Sequence, residues 1–365
     1  MKREKILFFI LCATLLLLLV SAGAEETFTC GDYTYALFGD GTAMIVGYGG
    51  EGEKAAIPSE LDGVPVSAIG KEAFFESSSL REVVIPDGVT DIGRGAFYGC
   101  VNLKSVTIPE SVDHIADHAF RGCESLTEIA LPPGLTRIGQ AVFLGCRDLR
   151  NVTIPDGVSD IGGHAFSNCQ SLAEILLPEG LERVSEYAFN KCAALAGIAL
   201  PDSVTSVGDY AFFCCTGLKH VSLPEGLLSI GRASFSYCNQ LEEIDLPQCL
   251  TVIGDYAFDE CRSLKSAAIP EGVTVIGECL FCYCTALESV TIPEGVTRIG
   301  KGAFSECVSL TEINLPDSLK EIGDYAFDGC KSLTEVCLPD GLTAIGKEVF
   351  DGCDNLVLTV KNGSP

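Results

Sequence analysis

Twelve cysteines recur in this sequence at a constant spacing of 23 residues, and thiols have the widest chemical range of the side chains present. Thiolates act as nucleophiles and as zinc ligands, and in oxidising compartments thiols pair as disulfides. Each cysteine lies in a setting that otherwise has the pattern of core positions, as in residues 292–315, IPEGVTRIGKGAFSECVSLTEINL. We call this set the cysteine column: Cys100, Cys123, Cys146, Cys169, Cys192, Cys215, Cys238, Cys261, Cys284, Cys307, Cys330 and Cys353.

The regular spacing predicts a structural role for the cysteine column. If each 23-residue unit forms one coil and the coils stack, the Cα atoms of neighbouring cysteines would lie about 4.8 Å apart, and their Cβ vectors would run parallel. The Cβ atoms would then stay about that far apart, beyond the ~3.8 Å usual in a disulfide. Apolar burial also raises the pKa of a thiol and slows its oxidation. We therefore expect free, packed thiols in a column that binds no metal.

Seven further cysteines lie outside the column, at Cys12, Cys30, Cys214, Cys249, Cys279, Cys282 and Cys337. Cys279, Cys282 and Cys284 form a C-x₂-C-x-C cluster within one unit. A structural zinc site needs a fourth ligand and a second pair of ligands, and the sequence shows neither. Surface thiols and an adventitious disulfide are the remaining interpretations of this cluster. We predict no metal site and no cofactor.

Two other motifs resemble binding sites. Residues 47–52, GYGGEG, match G-x-G-x-x-G, but a coil start follows where a dinucleotide site needs a helix, so we predict a turn. His114 and His118 are four residues apart, as a metal-binding pair on a helix would be. Here His114 falls on an extended piece and His118 on a turn, so the two rings need not converge. His118 instead shares a 23-residue column with other flat rings, at His164, Tyr187, Tyr210, Tyr256 and Tyr325.

The charge of the chain excludes some classes of partner. Fifty acidic and 24 basic residues give a net charge of −26, which repels nucleic acids and gains nothing from anionic membranes. A partner with basic surface fits better. Carboxylates follow the proline of ten units, which predicts a solvated acidic ridge or, alternatively, weak binding of divalent cations; they are Asp87, Glu110, Asp156, Glu179, Asp202, Glu225, Glu271, Glu294, Asp317 and Asp340.

The same period of 23 defines the elements that position these residues. Proline recurs from Pro86 to Pro339 and phenylalanine from Phe74 to Phe350, without insertion or deletion. In one unit, residues 312–315 alternate polar and apolar, as a half-buried strand does, and Pro316 ends that strand. Residues 296–299 predict a second short strand. Gly300 predicts a bend with positive φ, and KGAF a helical or 3₁₀ turn.

This period lies in the range of leucine-rich repeats. The sequence predicts an α/β leucine-rich-repeat solenoid of about thirteen coils, with a parallel β-sheet face, short second strands and short helical turns. Stacked phenylalanine rings would form a continuous spine.

The ends of the chain predict three regions. Residues 1–24 combine a basic start, an apolar run and an A-x-A site, which indicates a cleaved signal peptide and a secreted or cell-surface protein. Residues 25–56 predict an N-terminal β-hairpin cap, from YTYALF and TAMIVGY joined through GDG. Residues 57–365 form the predicted solenoid. Its last strand, LVLTV, has no evident cap, so self-association at that edge is possible.

The outward positions of the predicted strands form the expected binding face. Their middle column is small and flat, and it has no row of aromatic rings on which sugars would stack. Glutamate fills half of the flanking column, which suits a protein or peptide partner of basic character; a merely solvated face is the alternative. The residues predicted to contact a partner are Glu128, Asn151, Thr153, Glu174, Leu176, His220, Ser222, Glu243, Asp245, Glu312, Asn314 and Glu335.

The repeat unit resembles a known family. L-x-x-[VI]-x-[LI]-P-x-x-[VL]-x-x-[IV]-G-x-x-A-F-x-x-C, as in residues 310–330, is similar to the BspA-type leucine-rich repeats of bacterial surface proteins and some protozoan proteins. IPSELDGVPVSAIGKEAF resembles the usual start of such arrays, and the resemblance covers residues 28–360. It implies adhesion to extracellular matrix or cell-surface proteins, such as fibronectin and fibrinogen, and it supplies no catalytic motif.

Together these observations favour an exported, non-enzymatic protein-binding scaffold, an adhesin of host or neighbouring-cell proteins. The strict period leaves no loop insertions of the kind that host enzyme sites. A self-associating structural surface component is the first alternative and an enzyme is the second.

Overall fold

A computed structural model describes residues 26–361, which wind into a parallel-stranded solenoid of about 14 turns of roughly 23 residues. The predicted solenoid with a parallel β-sheet face is confirmed, whereas the helical part of the predicted α/β class is absent from these residues. The predicted signal peptide at residues 1–24 lies outside the described part of the chain. Residues 26–361 contain strands and turns but no helix, and thus none long and apolar enough to cross a membrane.

Each coil contributes a strand to a first row, in which equivalent residues of neighbouring coils pair in parallel. Side chains alternate along the three-residue strands of this row, so the middle residue of each is buried while its neighbours face outward. The strands of the first row are β4 (Lys54–Ala56), β7 (Glu82–Val84), β9 (Ser105–Thr107), β11 (Glu128–Ala130), β13 (Asn151–Thr153), β16 (Gly197–Ala199), β18 (His220–Ser222), β21 (Ser266–Ala268), β23 (Ser289–Thr291), β25 (Glu312–Ile313), β27 (Glu335–Leu338) and β29 (Val357–Val360).

A second row of shorter strands follows the first after each proline-containing turn. Its strands also pair in parallel, and all but the last of them, β28, bury their last residue. They are β6 (Val64–Ile69), β8 (Asp91–Ile92), β10 (His114–Ile115), β12 (Arg137–Ile138), β14 (Asp160–Ile161), β15 (Arg183–Val184), β17 (Ser206–Val207), β19 (Ser229–Ile230), β20 (Val252–Ile253), β22 (Val275–Ile276), β24 (Arg298–Ile299), β26 (Glu321–Ile322) and β28 (Ala344–Ile345).

The N-terminal strands continue the second row. β2 (Tyr33–Leu37) and β3 (Ala43–Tyr48) form an antiparallel hairpin, and β1 (Thr27–Cys30) adds a third strand to it. β3 then pairs in parallel with β6, whose start is folded back on β5 (Glu60–Leu61). Residues 54–56 form β4, which pairs in parallel with β7 as the first strand of the first row.

The phenylalanine column forms the predicted spine, and the structure confirms it. Successive rings from Phe74 to Phe350 stack with centroids 4.9–5.8 Å apart and planes within 22° of one another. Tyr48 of the hairpin stacks on Phe74 at 4.8 Å, which carries the spine into the cap. This spacing suits offset stacking, so the rings fill the interior with no break between coils.

The turn between second and first rows is not helical, and the prediction of a helical or 3₁₀ turn at KGAF was wrong. Alternate amides bond within the turn, as from Ala96 to the Gly93 carbonyl. The intervening amides leave the coil, and that of Phe97 donates to the Ala119 carbonyl of the next coil. A helix would use every amide internally, so it is excluded by the bonds that join the coils.

The glycine that recurs in this turn is required for a reason other than the predicted positive φ. Gly93, Gly254 and Gly300 are outside the positive-φ set, which instead includes the residue two positions later, such as Gly302 at 59°. A Cβ atom on Gly254 would lie 2.5 Å from the backbone nitrogen of Arg232. The glycine is therefore required because the backbones of adjacent coils approach too closely for a side chain.

A substitution at this glycine tests the close approach. Gly254→Ala should destabilise the chain by about 1–3 kcal/mol, because the methyl group forces the coils apart. Ala116 and Ser185 occupy the equivalent position in two coils, so we expect folding with reduced stability. Urea unfolding measures the change. Gly180→Ala is the matched control, since its Cβ would meet nothing within 4 Å; equal effects would contradict the explanation.

Candidate binding face and cysteine column

The candidate binding face, called the strand face below, consists of the outward side chains of the first row and of residues 174–176 and 243–245, which occupy the same position. All twelve residues that the sequence analysis assigned to partner binding are exposed there. The alternation of buried and outward side chains along each strand explains this placement, because the apolar residue between each outward pair points into the core.

The structure brings four of those residues together at an interruption of the first row. Residues 174–176 form no strand, so the sheet is broken between β13 and β16. Leu176 lies in this gap with 89% of its surface exposed. A cleft of about 450 Å³ separates it from β13, with Asn151, Thr153 and Glu174 in its lining.

A second cleft, of about 280 Å³, lies on the other side of Leu176. Ala199, Glu179 and Asp202 line it, and Asp156 lines the first cleft. The sequence analysis did not assign these four residues to partner binding. The acidic residues were visible as the ridge that follows the prolines, but only the gap in the sheet makes them neighbours of Leu176. The result is an apolar side chain surrounded by carboxylates.

The other predicted contact residues are spread along the strand face. His220 lies beside Glu243, with its Nδ1 atom 3.9 Å from Oε1. Glu312 and Glu335 are register partners on β25 and β27. Glu128 pairs in register with Asn151, which places it at the rim of the first cleft. Ser222, Asp245 and Asn314 are exposed on the same face.

The cysteine column lies inside the turns, and its members are free and buried. Each thiol donates to the carbonyl of a phenylalanine 26 residues earlier, at 3.0–3.3 Å, as from Cys215 to Phe189. Burial raises the pKa of Cys100 and of Cys192 to about 12. Cys353 at the end of the column differs, because its interaction with the neighbouring Cys330 thiol lowers its pKa. The buried thiols whose pKa is raised stay protonated and are therefore poor nucleophiles.

The other candidate motifs do not assemble into sites. His114 is exposed on β10, near Asp91, whereas His118 lies in a turn at a φ of 61° and burial lowers its pKa. Residues 47–52 leave β3 and reach β4 through a bend. Across residues 26–361, no group of three or more His, Cys, Asp or Glu side chains is placed to hold a metal ion.

Asp259 is a carboxyl group with a strongly perturbed pKa. It lies in the turn one coil before Cys282, and the buried Ser236 hydroxyl donates to its Oδ2 atom at 3.2 Å. Burial raises its pKa to about 6, although the hydrogen bond from Ser236 opposes the shift. The folded protein therefore binds the proton of Asp259 more tightly than the unfolded chain does.

The sequence pattern of the BspA type leucine-rich repeat region matches residues 57–173, 159–287 and 251–362. Among proteins of curated function, none is significantly similar in sequence. Solved structures with similar folds include a leucine-rich repeat protein from Bacteroides ovatus, 32% identical over 90% of this chain and 92% of that chain, with a TM-score of 0.76.

Two further solved structures share the fold. A leucine rich cell surface protein from Faecalibacterium prausnitzii is 30% identical over 94% of this chain and 97% of that chain, with a TM-score of 0.66. A leucine-rich repeat protein from Eubacterium ventriosum, 24% identical over 90% and 95% of the two chains, has a TM-score of 0.59 and shows the fold alone. None of these similarities indicates a catalytic family.

The burial of the cysteine column predicts a sharp difference in thiol reactivity. In the native chain the column from Cys100 to Cys330 should react with iodoacetamide about a hundredfold more slowly than the exposed Cys249. The difference should vanish in denaturant. Peptide mapping after timed alkylation measures both rates. Labelling of the column at the rate of Cys249 under native conditions would show that the coils are open.

The raised pKa of Asp259 predicts a pH-dependent stability. Its contribution is fully present below its unfolded pKa of about 3.9 and is lost as pH rises through about 6, because the ionised form is then poorly solvated. Asp259→Asn should therefore be more stable than the parent at pH 7 and equal to it near pH 4. Urea unfolding at both pH values tests this.

Asp328→Asn is the matched control, since Asp328 occupies the equivalent position three coils later and its Oδ2 atom accepts from Ser305 at 3.5 Å. If both variants were equally stabilised at pH 7, the effect could not be assigned to the buried Asp259 carboxyl, and the prediction would be contradicted.

Proposed function

Because the chain belongs to the BspA-type leucine-rich repeat family, we propose that it is an exported, non-enzymatic scaffold whose strand face binds a protein or peptide of basic character. The cleft at Leu176 carries this proposal. An apolar side chain that is 89% exposed in a gap of the sheet offers a contact for an apolar anchor. The carboxylates around it favour lysine or arginine beside that anchor.

The shape of the face supports a protein partner more than a sugar. The ring columns in the described residues, such as Tyr187 stacked on Tyr210 at 4.8 Å, lie in the turns, away from the strand face. Their faces are occupied by one another, so they do not offer flat platforms to a sugar ring. A flat sheet with an apolar centre and a charged rim matches the anatomy of protein interfaces.

The proposed location is the cell surface or the surrounding medium, and the proposed role is adhesion to host or neighbouring-cell proteins. The similar protein from Faecalibacterium prausnitzii is described as a cell surface protein. The N-terminal sequence of the present chain resembles a signal peptide, and its net charge of −26 suits a soluble display of the face. A basic segment of an extracellular matrix or cell-surface protein is the partner we propose.

A second candidate function is self-association, and the last described strand supports it. β29 pairs with β27, and its other edge has no partner strand among residues 26–361. Val357 and Val360 are 59% and 60% exposed on it. Edge-to-edge pairing of β29 with a second copy would give dimers or stacks, which sedimentation analysis separates from a monomeric scaffold.

Charge reversal on the strand face tests the proposed function. The parent chain is first assayed against immobilised matrix proteins, mucins and glycans, at physiological and high salt. We expect saturable, salt-sensitive binding to a protein, and Glu174→Lys with Glu243→Lys should weaken it by about tenfold or more, since both glutamates line the face. Leu176→Ser should weaken it even at high salt.

Asp113→Lys with Glu182→Lys is the matched control, because it changes the net charge equally at exposed positions beside the second row. A lysine is tolerated there, since Lys320 occupies the equivalent position in another coil. Equal weakening by both pairs would show that binding responds to net charge and that the strand face is the wrong surface.

A further inference from the structure

Cys279 and Cys282 lie together in one turn, outside the cysteine column. Cys279 is half-buried and has a φ of 49°, while Cys282 is 8% exposed. The amide of Cys282 donates to the carbonyl of Cys279 at 3.3 Å, which closes a tight turn between the two residues. The two thiols are thus held on the same side of one turn, and this pair takes no part in the spine or the strand face.

The equivalent positions in other coils show how closely the Cβ atoms of Cys279 and Cys282 approach each other. A Cβ atom on Gly302, one coil later, would lie 3.9 Å from the Cβ of Ser305, and one on Gly95 would lie 3.6 Å from the Cβ of Tyr98. These pairs occupy the positions of Cys279 and Cys282 in other coils. Disulfides have Cβ atoms about 3.5–4.5 Å apart, so the turn holds Cys279 and Cys282 at bonding distance.

A third coil confirms that side chains at these positions touch. Tyr210 and Phe213 occupy them, and their rings meet edge to face with centroids 5.7 Å apart. The contact is therefore a property of the turn and not of one side chain. Cys279 and Cys282 are the pair that places two sulfur atoms in it within the described residues.

The two thiols differ in the way that exchange chemistry requires. A hydrogen bond from the Cys282 thiol holds the pKa of Cys279 below its ordinary value, and the Tyr256 hydroxyl acts in the same direction. The same contact, together with burial, raises the pKa of Cys282. The negative charges of Asp259 and Glu278 raise the pKa of Cys279, but each raises it by less than the hydrogen bond from Cys282 lowers it. Cys279 is the more exposed and more acidic thiol, and Cys282 is protected.

The next coil leaves room beside Cys279. A Cβ atom on Gly302 would lie 3.1 Å from the Cys279 sulfur, so the absence of a side chain there keeps that sulfur uncovered. Other coils place a ring at this position, as at Tyr256 and Tyr325. Gly302 therefore opens the side of Cys279 from which a reagent would approach.

We propose that Cys279 and Cys282 form a thiol–disulfide exchange site that reacts with low-molecular-weight disulfides. The Cys279 thiolate attacks one sulfur of the disulfide, forms a mixed disulfide and releases the first thiolate. The Cys282 thiol then loses its proton and attacks the Cys279 sulfur, which closes the intra-turn disulfide and releases the second thiolate. The two protein protons go to the two released thiolates, so one disulfide is reduced for each one formed.

The short loop suits reversible chemistry. A disulfide that spans four residues restricts the unfolded chain little, so it adds less stability than one that closes a long loop. The fold is complete without it, because the two thiol groups take no part in the phenylalanine spine. The bonds that join these residues to neighbouring coils, from the Cys279 amide to the Lys301 carbonyl and from the Glu260 amide to the Cys282 carbonyl, use backbone atoms only. Oxidation and reduction can then exchange without unfolding the solenoid, and this site does not depend on the function proposed above.

Oxidation by glutathione disulfide tests the proposal. The purified chain is reduced, exposed to mixtures of reduced and oxidised glutathione, alkylated and mapped by mass spectrometry. We expect a Cys279–Cys282 disulfide, with both thiols lost from alkylation together. Cys282→Ser should accumulate a glutathione adduct on Cys279, since no second thiol resolves it. Cys279→Ser should form neither product, and Cys249→Ser should oxidise at Cys279 and Cys282 like the parent.

Two results would overturn the proposal. One is a parent chain in which Cys279 and Cys282 remain alkylatable while the exposed Cys249 already carries glutathione. The other is a stable glutathione adduct on Cys279 of the parent, which would show that Cys282 does not reach it. The mapping of the parent decides the question even if a variant fails to fold, and circular dichroism identifies such a variant.

Discussion

The structure depends on one repeated hydrogen bond, from the amide of each spine phenylalanine to a carbonyl 22 residues later. Twelve such bonds, 2.7–3.0 Å long, run from Phe74 to Phe327. The carbonyl of each of these phenylalanines in turn accepts a hydrogen bond from a thiol of the cysteine column. Because each coil is fixed to the next at this point, an inserted residue would misplace both the ring and the thiol. This explains why the period holds over the whole array.

The same constraint leaves the strand face free to vary. Its side chains point away from the spine, so a change there alters no bond between turns. The first row can even lose a strand at residues 174–176 while the amides of Phe166 and Phe189 remain bonded to the next coils. A binding surface can therefore be built on a scaffold whose stability comes from the opposite side of the coil.

Much of the fold followed from period and alternation. The spacing of Pro86, Phe97 and Cys100 predicted the coil, and the polar–apolar alternation placed residues such as Glu174 on the outer face. The turn was misjudged because GxxAF is compatible with a helix in isolation, and only the demand for bonds between coils excludes one. The cleft at Leu176 was not predictable, since nothing local shows that residues 174–176 leave the sheet.

The central claim is that turn amides, and not strand amides alone, join the coils. Native-state hydrogen exchange tests it most directly. The amides of Phe143, Phe166 and Phe189 should exchange only through opening of several coils, and thus as slowly as the buried amides of β16 and β18. If these phenylalanine amides exchanged as fast as those of the outermost coils, the turn would be an exposed connection and the account would be contradicted.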